Sequence, residues 1–394
     1  MPTTRLKSCT ICAGASSLCE STGLDTPAHI VCKTDVLPLA LRLPFTIFAN
    51  GHFQPRQPMN KISFWLHNAR HISLPQSILP AVLATGMAMQ YDTFSWWLAL
   101  IALFGVACAH LGMNLADDYF DYKVGSGEKR KALASEGMRA RVHKYPYLTS
   151  GEATLCDLAM AICAFLAAAA AAGVVVVIFR GTTPLIIAIV GCILGISYSG
   201  WPFRLSYHGY GELVIGMMFG PLLMTGVQYA ACGVMDEKII LVSVAIGLLV
   251  TNILYTHSVL DRHADAQMDK LTLARLLKKR NAMLGASAVF CFVPFILMAA
   301  GVVFGILHWA YLFTLILLPM AIFLWDSIRK FLYDIPVPLT VRPWMGPMGK
   351  FDKYCEAGIG WFMLRWLTAR NLISFFALIL LIVNIILKIT HTLL

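Results

Sequence analysis

The chain has 394 residues, 58% of them hydrophobic and only 13% charged, and its 31 basic and 21 acidic side chains give a formal net charge of +10. A soluble domain carries about 25% charged residues, so this composition excludes a globule with polar surface all round and makes a bilayer the natural solvent. The basic excess fits the Lys/Arg-rich cytoplasmic loops of a polytopic membrane protein, and no nucleic-acid partner is expected.

Residues 1–58 are mixed in polarity, show no sustained helical period and contain Pro2, Pro27, Pro38, Pro44, Pro55 and Pro58. The apolar stretch at 36–48 is short and interrupted by Arg42 and Pro44, a poor match to a secretory signal. This segment reads as an N-terminal extension, disordered or not native, with Met59 as the start. Peptides from 1–58 found by mass spectrometry in the native protein would contradict that. Of the eleven cysteines, Cys9 and Cys12 have zinc-ligand spacing, but Cys19 and Cys32 do not complete a zinc pattern. Cys108, Cys156, Cys163, Cys192, Cys232 and Cys291 lie in or beside apolar stretches, where a thiol packs as a small hydrophobe.

From Ile72 onward, apolar stretches near spanning length recur at about 72–91, 95–116, 154–178, 183–200, 210–232, 238–260, 282–304, 307–325 and 371–390. The pattern predicts an all-α polytopic membrane protein with about nine transmembrane helices. Cations concentrate in alternate links. Lys123, Lys129, Arg130, Lys131, Arg139, Arg141 and Lys144 follow the second helix, and Arg262, Lys270, Arg275, Lys278, Lys279 and Arg280 follow the sixth. Arg329, Lys330, Arg342, Lys350, Lys353, Arg365 and Arg370 follow the eighth, whereas the opposite links hold only Arg180 and Lys238. The positive-inside rule then places the N-terminus and the cationic links in the cytoplasm, and the C-terminus outside.

Two acidic clusters fall at ends on that cytoplasmic side. The first is Asn114-Leu-Ala-Asp117-Asp118-Tyr119-Phe-Asp121, where a continued helix stacks Asn114 and Asp118 one turn apart, with Asp121 on the same face. The bland reading is a solvated helix end, but three carboxylates within five residues repel one another, and acids near membrane depth are costly and usually functional. The second is Asp261-Arg-His-Ala-Asp265, again one helical turn, followed by Asp269-Lys270. Oxygen ligands on one face suit Mg²⁺, which binds through one or two carboxylates plus substrate phosphates. Two such clusters on one side can clamp a diphosphate while nearby Lys and Arg take the remaining charge. Between them, Tyr198, Arg204, Tyr207 and Glu212 occupy the link after the fourth helix, where aromatic faces either anchor the interface or stabilise a cation.

These segments resemble the UbiA superfamily of intramembrane prenyltransferases, most closely its 1,4-dihydroxy-2-naphthoate polyprenyltransferase branch. The likeness covers about residues 60–390 and rests on NARHISLPQSILPAVLA at 68–84, NLADDYFDYKVG at 114–125, YSGWPFRLSYHGYGELVIGMMFGPLL at 198–223 and DRHADAQMDKLTLARLL at 261–277. Two departures stand out: His257, Ser258 and Leu260 occupy places where the family often carries Asn and Arg, and Asp269 replaces a glycine. A phosphate-facing cation would then come from elsewhere, Arg262 or Lys270.

The resemblance implies a UbiA-like bundle over 59–394 with a central cavity, in a bacterial cytoplasmic (inner) membrane. It implies that Asn114, Asp118, Asp121, Asp261 and Asp265 hold Mg²⁺ on a polyprenyl diphosphate, with Lys123, Tyr198, Arg204, Tyr207 and Lys270 contacting substrate. The acceptor would be 1,4-dihydroxy-2-naphthoate, prenylated with loss of CO₂ to form demethylmenaquinone, and the prenyl tail would leave through lipid. Other acceptors (4-hydroxybenzoate, homogentisate or haem) and, from another class, a cation-coupled transporter are the alternatives. Transporters tend to place acids at the midplane, where helices break.

Overall fold

The computed structural model describes residues 60–123 and 145–393. Residues 1–58 with Cys9 and Cys12, and the cations Lys129, Arg130, Lys131, Arg139, Arg141 and Lys144, lie outside the described residues.

Among the described residues the chain is almost wholly helical. A short helix, α1 (Lys61–Asn68), precedes α2 (Pro75–Ala88), α3 (Trp96–Lys123), α4 (Leu155–Arg180), α5 (Thr183–Ser199) and α6 (Gly211–Cys232). Then come α7 (Glu237–Leu260), two short helices α8 (Arg262–Gln267) and α9 (Leu273–Leu277), α10 (Arg280–Val303), α11 (Trp309–Leu332) and α12 (Gly360–Leu393). Helix α11 opens as a 3₁₀ segment, Trp309–Leu317. Seven of these helices are long and apolar enough to cross a membrane: α3, α4, α6, α7, α10, α11 and α12. The other two predicted spans are short. With 14 and 17 residues, α2 and α5 reach only about 21 and 26 Å, against a hydrocarbon core of about 30 Å. Pro75 opens α2 after a left-handed turn at Arg70, and Gly200 ends α5. In the other direction, α3 runs on through the acidic cluster to Lys123, and α12 begins at Gly360, well before residue 371.

Local chemistry fixes these boundaries. Thr154 and Asp157 form a reciprocal capping box at the start of α4 (2.9 and 3.1 Å). Asp236 caps α7 by accepting the Ile239 amide at 3.1 Å. Helix α6 ends at Gly233 with φ +75°, where Arg180 donates to the Ala230 and Ala231 carbonyls (3.0 and 2.7 Å) and to Thr93 (2.9 Å).

Packing is sorted by solvent. Helix α5 exposes Leu185, Ile186, Ile189, Ile193 and Ile196, a surface for lipid rather than water. Helix α7 is enclosed, packing against α6, α10 and α12 and burying Ile239, Val242, Ile246, Leu249, Ile253 and Tyr255. Between lipid-soluble helices small residues at the contact replace the hydrophobic drive. Here Gly216 and Gly220 of α6 meet Gly247 of α7 so closely that a Cβ on Gly220 would stand 2.5 Å from the Gly247 Cα. At the same level Pro221, which has no N–H to give, lies in a π turn, Met218–Leu222, that interrupts α6.

Glycine to alanine usually stabilises a helix by up to about 1 kcal/mol. At Gly220 the clash should reverse the sign. We predict that G220A lowers stability by about 1–3 kcal/mol, as overpacking does. G285A, whose Cβ meets nothing within 4 Å, should not destabilise the protein. Thermal melts of the detergent-purified variants measure the difference; equal melts would refute the close contact.

Candidate functional site

The last turns of α3 carry the first cluster into the protein rather than into solvent: Asp118 is 2% and Asp121 3% exposed. Continuation of the helix puts Asn114, Asp118 and Asp121 along one stripe, as their spacing predicts. Buried carboxylates need donors, and those come from four separate segments.

The turn between α1 and α2 supplies Arg70, held left-handed at φ 60°. Its Nη2 donates to Asp118 Oδ1 at 3.0 Å, to Asp117 Oδ2 at 3.4 Å and to the Asn114 carbonyl at 2.7 Å. Asn114 answers by donating its Nδ2 to the Ala69 carbonyl (2.9 Å) and to Ser73 Oγ (3.0 Å). Burial pulls the Arg70 guanidinium down, but Asp118 and then Asp117 outweigh it and hold it above its ordinary value. Tyr147, in the turn Pro146–Thr149, donates to Asp118 Oδ2 at 3.2 Å. Burial and then Asp118 push that phenol up, which keeps it a donor. Ser199, at the end of α5, donates to Asp117 Oδ1 at 2.6 Å.

The link after α5 joins the two clusters. Tyr207 donates to Asp121 Oδ1 at 2.8 Å, while its carbonyl accepts the Leu271 amide at 3.3 Å. Arg204 and Lys270 both stand over its ring, 4.1 and 5.8 Å from the centroid. Glu212 accepts from Ser258 Oγ at 2.5 Å and from the Leu273 amide at 3.2 Å. The substituted Ser258 thus has work of its own: its hydroxyl satisfies a buried carboxylate.

Asp261 and Asp265 are each 2% exposed. Asp261 closes α7 and Asp265 lies in α8, but the Asp265 amide donates to the Asp261 carbonyl at 2.9 Å, so the one-turn spacing survives the junction. His257 Nε2 lies 3.7 Å from Asp261 Oδ2. Arg275 donates to the carbonyls of Asp265 (3.3 Å) and Lys270 (2.7 Å), bracing this segment.

A cavity of about 1740 Å³ runs between the helices. Asn114, Asp117, Asp118, Glu212 and Lys270 line its polar end, together with Arg70 and Tyr198. Away from them the wall is apolar, from Val106 and Phe219 to Ile187 and Val227. Asp121, Asp261 and Asp265 are buried without forming part of that lining, and Arg204 and Tyr207 do not line it either; Tyr207 bonds Asp121 instead, with Arg204 over its ring. Lys123 turns over the Tyr119 ring at 4.6 Å.

Of the two candidate cations, Lys270 lines this cavity and Arg262 does not. Arg262 lies over Phe331 (5.0 Å) and lines a separate cavity of about 420 Å³ with Arg280 and Asp334; burial pulls its charge down. Arg70 and Glu212 stand within the sequence motifs with no task that spacing reveals, and nothing in the sequence marks Tyr147 and Ser199. A lone Tyr or Ser far along the chain carries no signal of the acid it meets.

The donor set suits a hard divalent cation: carboxylate and amide oxygens with no thiol among them. Among the described residues no three His, Cys, Asp or Glu side chains converge as a complete site, so phosphate oxygens would have to finish the shell, as is usual for Mg²⁺.

A model of the UbiA prenyltransferase family matches residues 77–334. A Mycobacterium tuberculosis protein named 1,4-dihydroxy-2-naphthoate octaprenyltransferase is 33% identical over 250 residues, 61% of this chain and 80% of that one. The Bacillus subtilis protein of the same name is 26% identical over 246 residues, 61% and 74% of the two chains. Among solved structures, a digeranylgeranylglyceryl phosphate synthase superposes with a TM-score of 0.55 at 15% identity, over 83% of this chain and 99% of that one. A UbiA homologue from Archaeoglobus fulgidus, bound to GPP and Mg²⁺, gives 0.51 at 16% identity, over 79% and 99%. These structures share the fold.

Removing the Arg70 charge takes a cationic partner at 3.0 Å from the buried Asp118. Breaking a fully buried pair costs about 3–5 kcal/mol. Since the Arg70 side chain is 38% exposed, solvent screening reduces the predicted R70Q loss to about 1–3 kcal/mol. A thermal melt in detergent reads it, and an unchanged melting temperature would show that Arg70 does not hold the cluster.

Proposed function

This chain belongs to the UbiA prenyltransferase family, and from that premise we propose that it transfers a polyprenyl group from polyprenyl diphosphate to 1,4-dihydroxy-2-naphthoate. The observation that carries the donor half is the shape of the cavity: acids and Lys270 at one end, a long apolar wall beyond. A diphosphate head on an isoprenoid tail has the same division. The acceptor is supported by the names of the relatives and by the likeness of the four motifs.

In this reading Asn114, Asp118, Asp121, Asp261 and Asp265 hold divalent ions, with Mg²⁺ the choice that oxygen ligands favour. Such ions supply the neutralisation that lets a diphosphate depart. Lys270, at the polar end of the cavity, adds a cation for the leaving oxygens. Arg204 and Tyr207 keep Asp121 and the Lys270 segment in register, and Lys123 marks the approach. Tyr198 on the cavity wall offers its π face to the allylic cation formed as the C–O bond breaks. The apolar wall excludes the water that would quench that cation. A ring carbon of the dihydroxynaphthoate then bonds to the allylic carbon and loses its proton. The carboxylate leaves as CO₂ and a proton takes its place, giving demethylmenaquinol, the reduced form of demethylmenaquinone. Residues 59–394 are the catalytic unit, an integral membrane protein that we place in a bacterial cytoplasmic membrane with the acidic ends facing the cytoplasm.

The test uses purified protein in lipid nanodiscs with Mg²⁺, labelled polyprenyl diphosphate and a panel of aromatic acceptors. Prenylation of dihydroxynaphthoate with release of CO₂ is expected. Transfer to 4-hydroxybenzoate or homogentisate instead would overturn the acceptor. Cation flux with no prenyl transfer would overturn the reaction. In the same assay D118A and D261A should abolish turnover while each protein still inserts; near-normal activity in either would contradict the metal role.

A further inference from the structure

Several basic side chains line the cavity, and three of them have a carboxylate partner or stand over an aromatic ring. Arg70 is paired with Asp117 and Asp118, His257 with Asp261, and Lys270 stands over Tyr207. Arg370, on α12, is different. Its Nε and Nη2 donate to Asn371 Oδ1 (3.2 and 2.9 Å), and Nη2 also donates to the Pro347 carbonyl (2.8 Å). Every one of these partners is neutral, and no carboxylate of the described residues forms an ion pair with it. A guanidinium kept on a cavity wall with its charge uncompensated is a place for an anion.

The surroundings define what kind. Trp366 stands one turn before Arg370 on the same face of α12, and both it and Phe375, five residues further on, line the same cavity. The segment before α12 is fastened against this place: Asn371 Nδ2 donates to the carbonyls of Met345 (2.8 Å) and Pro347 (3.0 Å). Gly346, at φ +77°, leaves no room for a side chain, since a Cβ there would stand 2.6 Å from the Phe375 ring. Arg370 is therefore held before any ligand arrives, which lowers the cost of binding. A flat apolar ring bearing one anionic group fits such a wall. Arg370 is carried by α12, apart from the acids of α3 and α8, and it lies outside the stretch 77–334 that the family match covers.

We propose that Arg370 binds the carboxylate of the aromatic acceptor, with Trp366 and Phe375 flanking its ring. The inference rests on the proposed reaction, because it takes the acceptor to be an aromatic carboxylate. It gives the two substrates separate anchors: the diphosphate on the acids of α3, α7 and α8, the acceptor on α12.

The test is equilibrium binding to the full chain in nanodiscs, with 1-hydroxy-2-naphthoate as the carboxylate probe, 1-naphthol as its neutral counterpart and geranyl diphosphate as the donor probe. A lost charge-assisted bond predicts that R370Q binds the naphthoate about 10- to 100-fold more weakly. Binding of 1-naphthol and of geranyl diphosphate should be unchanged, with R370K intermediate for the naphthoate alone. Equal weakening of naphthoate and naphthol would overturn the proposal, because it would mean lost packing. So would unchanged naphthoate binding, or weakening of geranyl diphosphate in place of the naphthoate. Should R370Q fail to fold, R370K decides by the same comparison. Failure of the unsubstituted protein to bind the naphthoate would overturn the naphthoate acceptor itself. Equal binding by parent and variant overturns only the place given to Arg370.

Discussion

The constraint on which the rest of this structure depends is the burial of Asp118 and Asp121 at the end of an apolar helix. Several kcal/mol per ion would be lost if such carboxylates met no donors. Apolar helices in lipid slide past one another at little cost, because lipid and leucine are alike to them. Directed bonds remove that freedom. The α1–α2 turn must bring Arg70, the turn at 146–149 must bring Tyr147, and the end of α5 and the link beyond it must bring Ser199 and Tyr207. Four segments scattered along the sequence are thereby set in register around one helix end.

The same logic joins the second cluster to the first. The link between α5 and α6 bonds to both. Tyr207 bonds an acid of the first cluster with its hydroxyl and the backbone of the second segment with its carbonyl. Glu212 repeats the pattern by taking the Ser258 hydroxyl and the Leu273 amide. A carboxylate used as a brace in one motif lets its neighbours act as ligands in another.

What could be read from the sequence follows from which signals are local. Nine apolar stretches stood out because lipid demands long runs without charge, and the acids stood out because such runs should not end in three carboxylates. The helical stripe of Asn114, Asp118 and Asp121 needed only the period of the helix. The length of α2 was not visible, since hydropathy runs from Ile72 across the tight turn before Pro75 and on past Ala88, whereas α5, read as 183–200, ends within a residue of that reading. Nor could spacing tell Lys270 from Arg262, which lie on one short stretch yet face different cavities. That difference is made by the turn at α8 and by Phe331, an aromatic ring from α11. Tyr147 and Ser199 belong to the same class: their meaning lies wholly in a partner distant in sequence.

One feature at the opposite end of the bundle bears on how such a chain is oriented during insertion. Arg180 ends α4 beside the short link to α5, and counted by residue type it would pull that link toward the cytoplasm. Its guanidinium instead closes the C-terminus of α6, where the Ala230 and Ala231 carbonyls carry the negative end of the helix dipole. The charge is spent on a contact between the ends of α4 and α6, which forms only when both helices are in place. A topogenic count that includes Arg180 thus measures a folding contact, and this end of the bundle is electrically barer than its composition suggests.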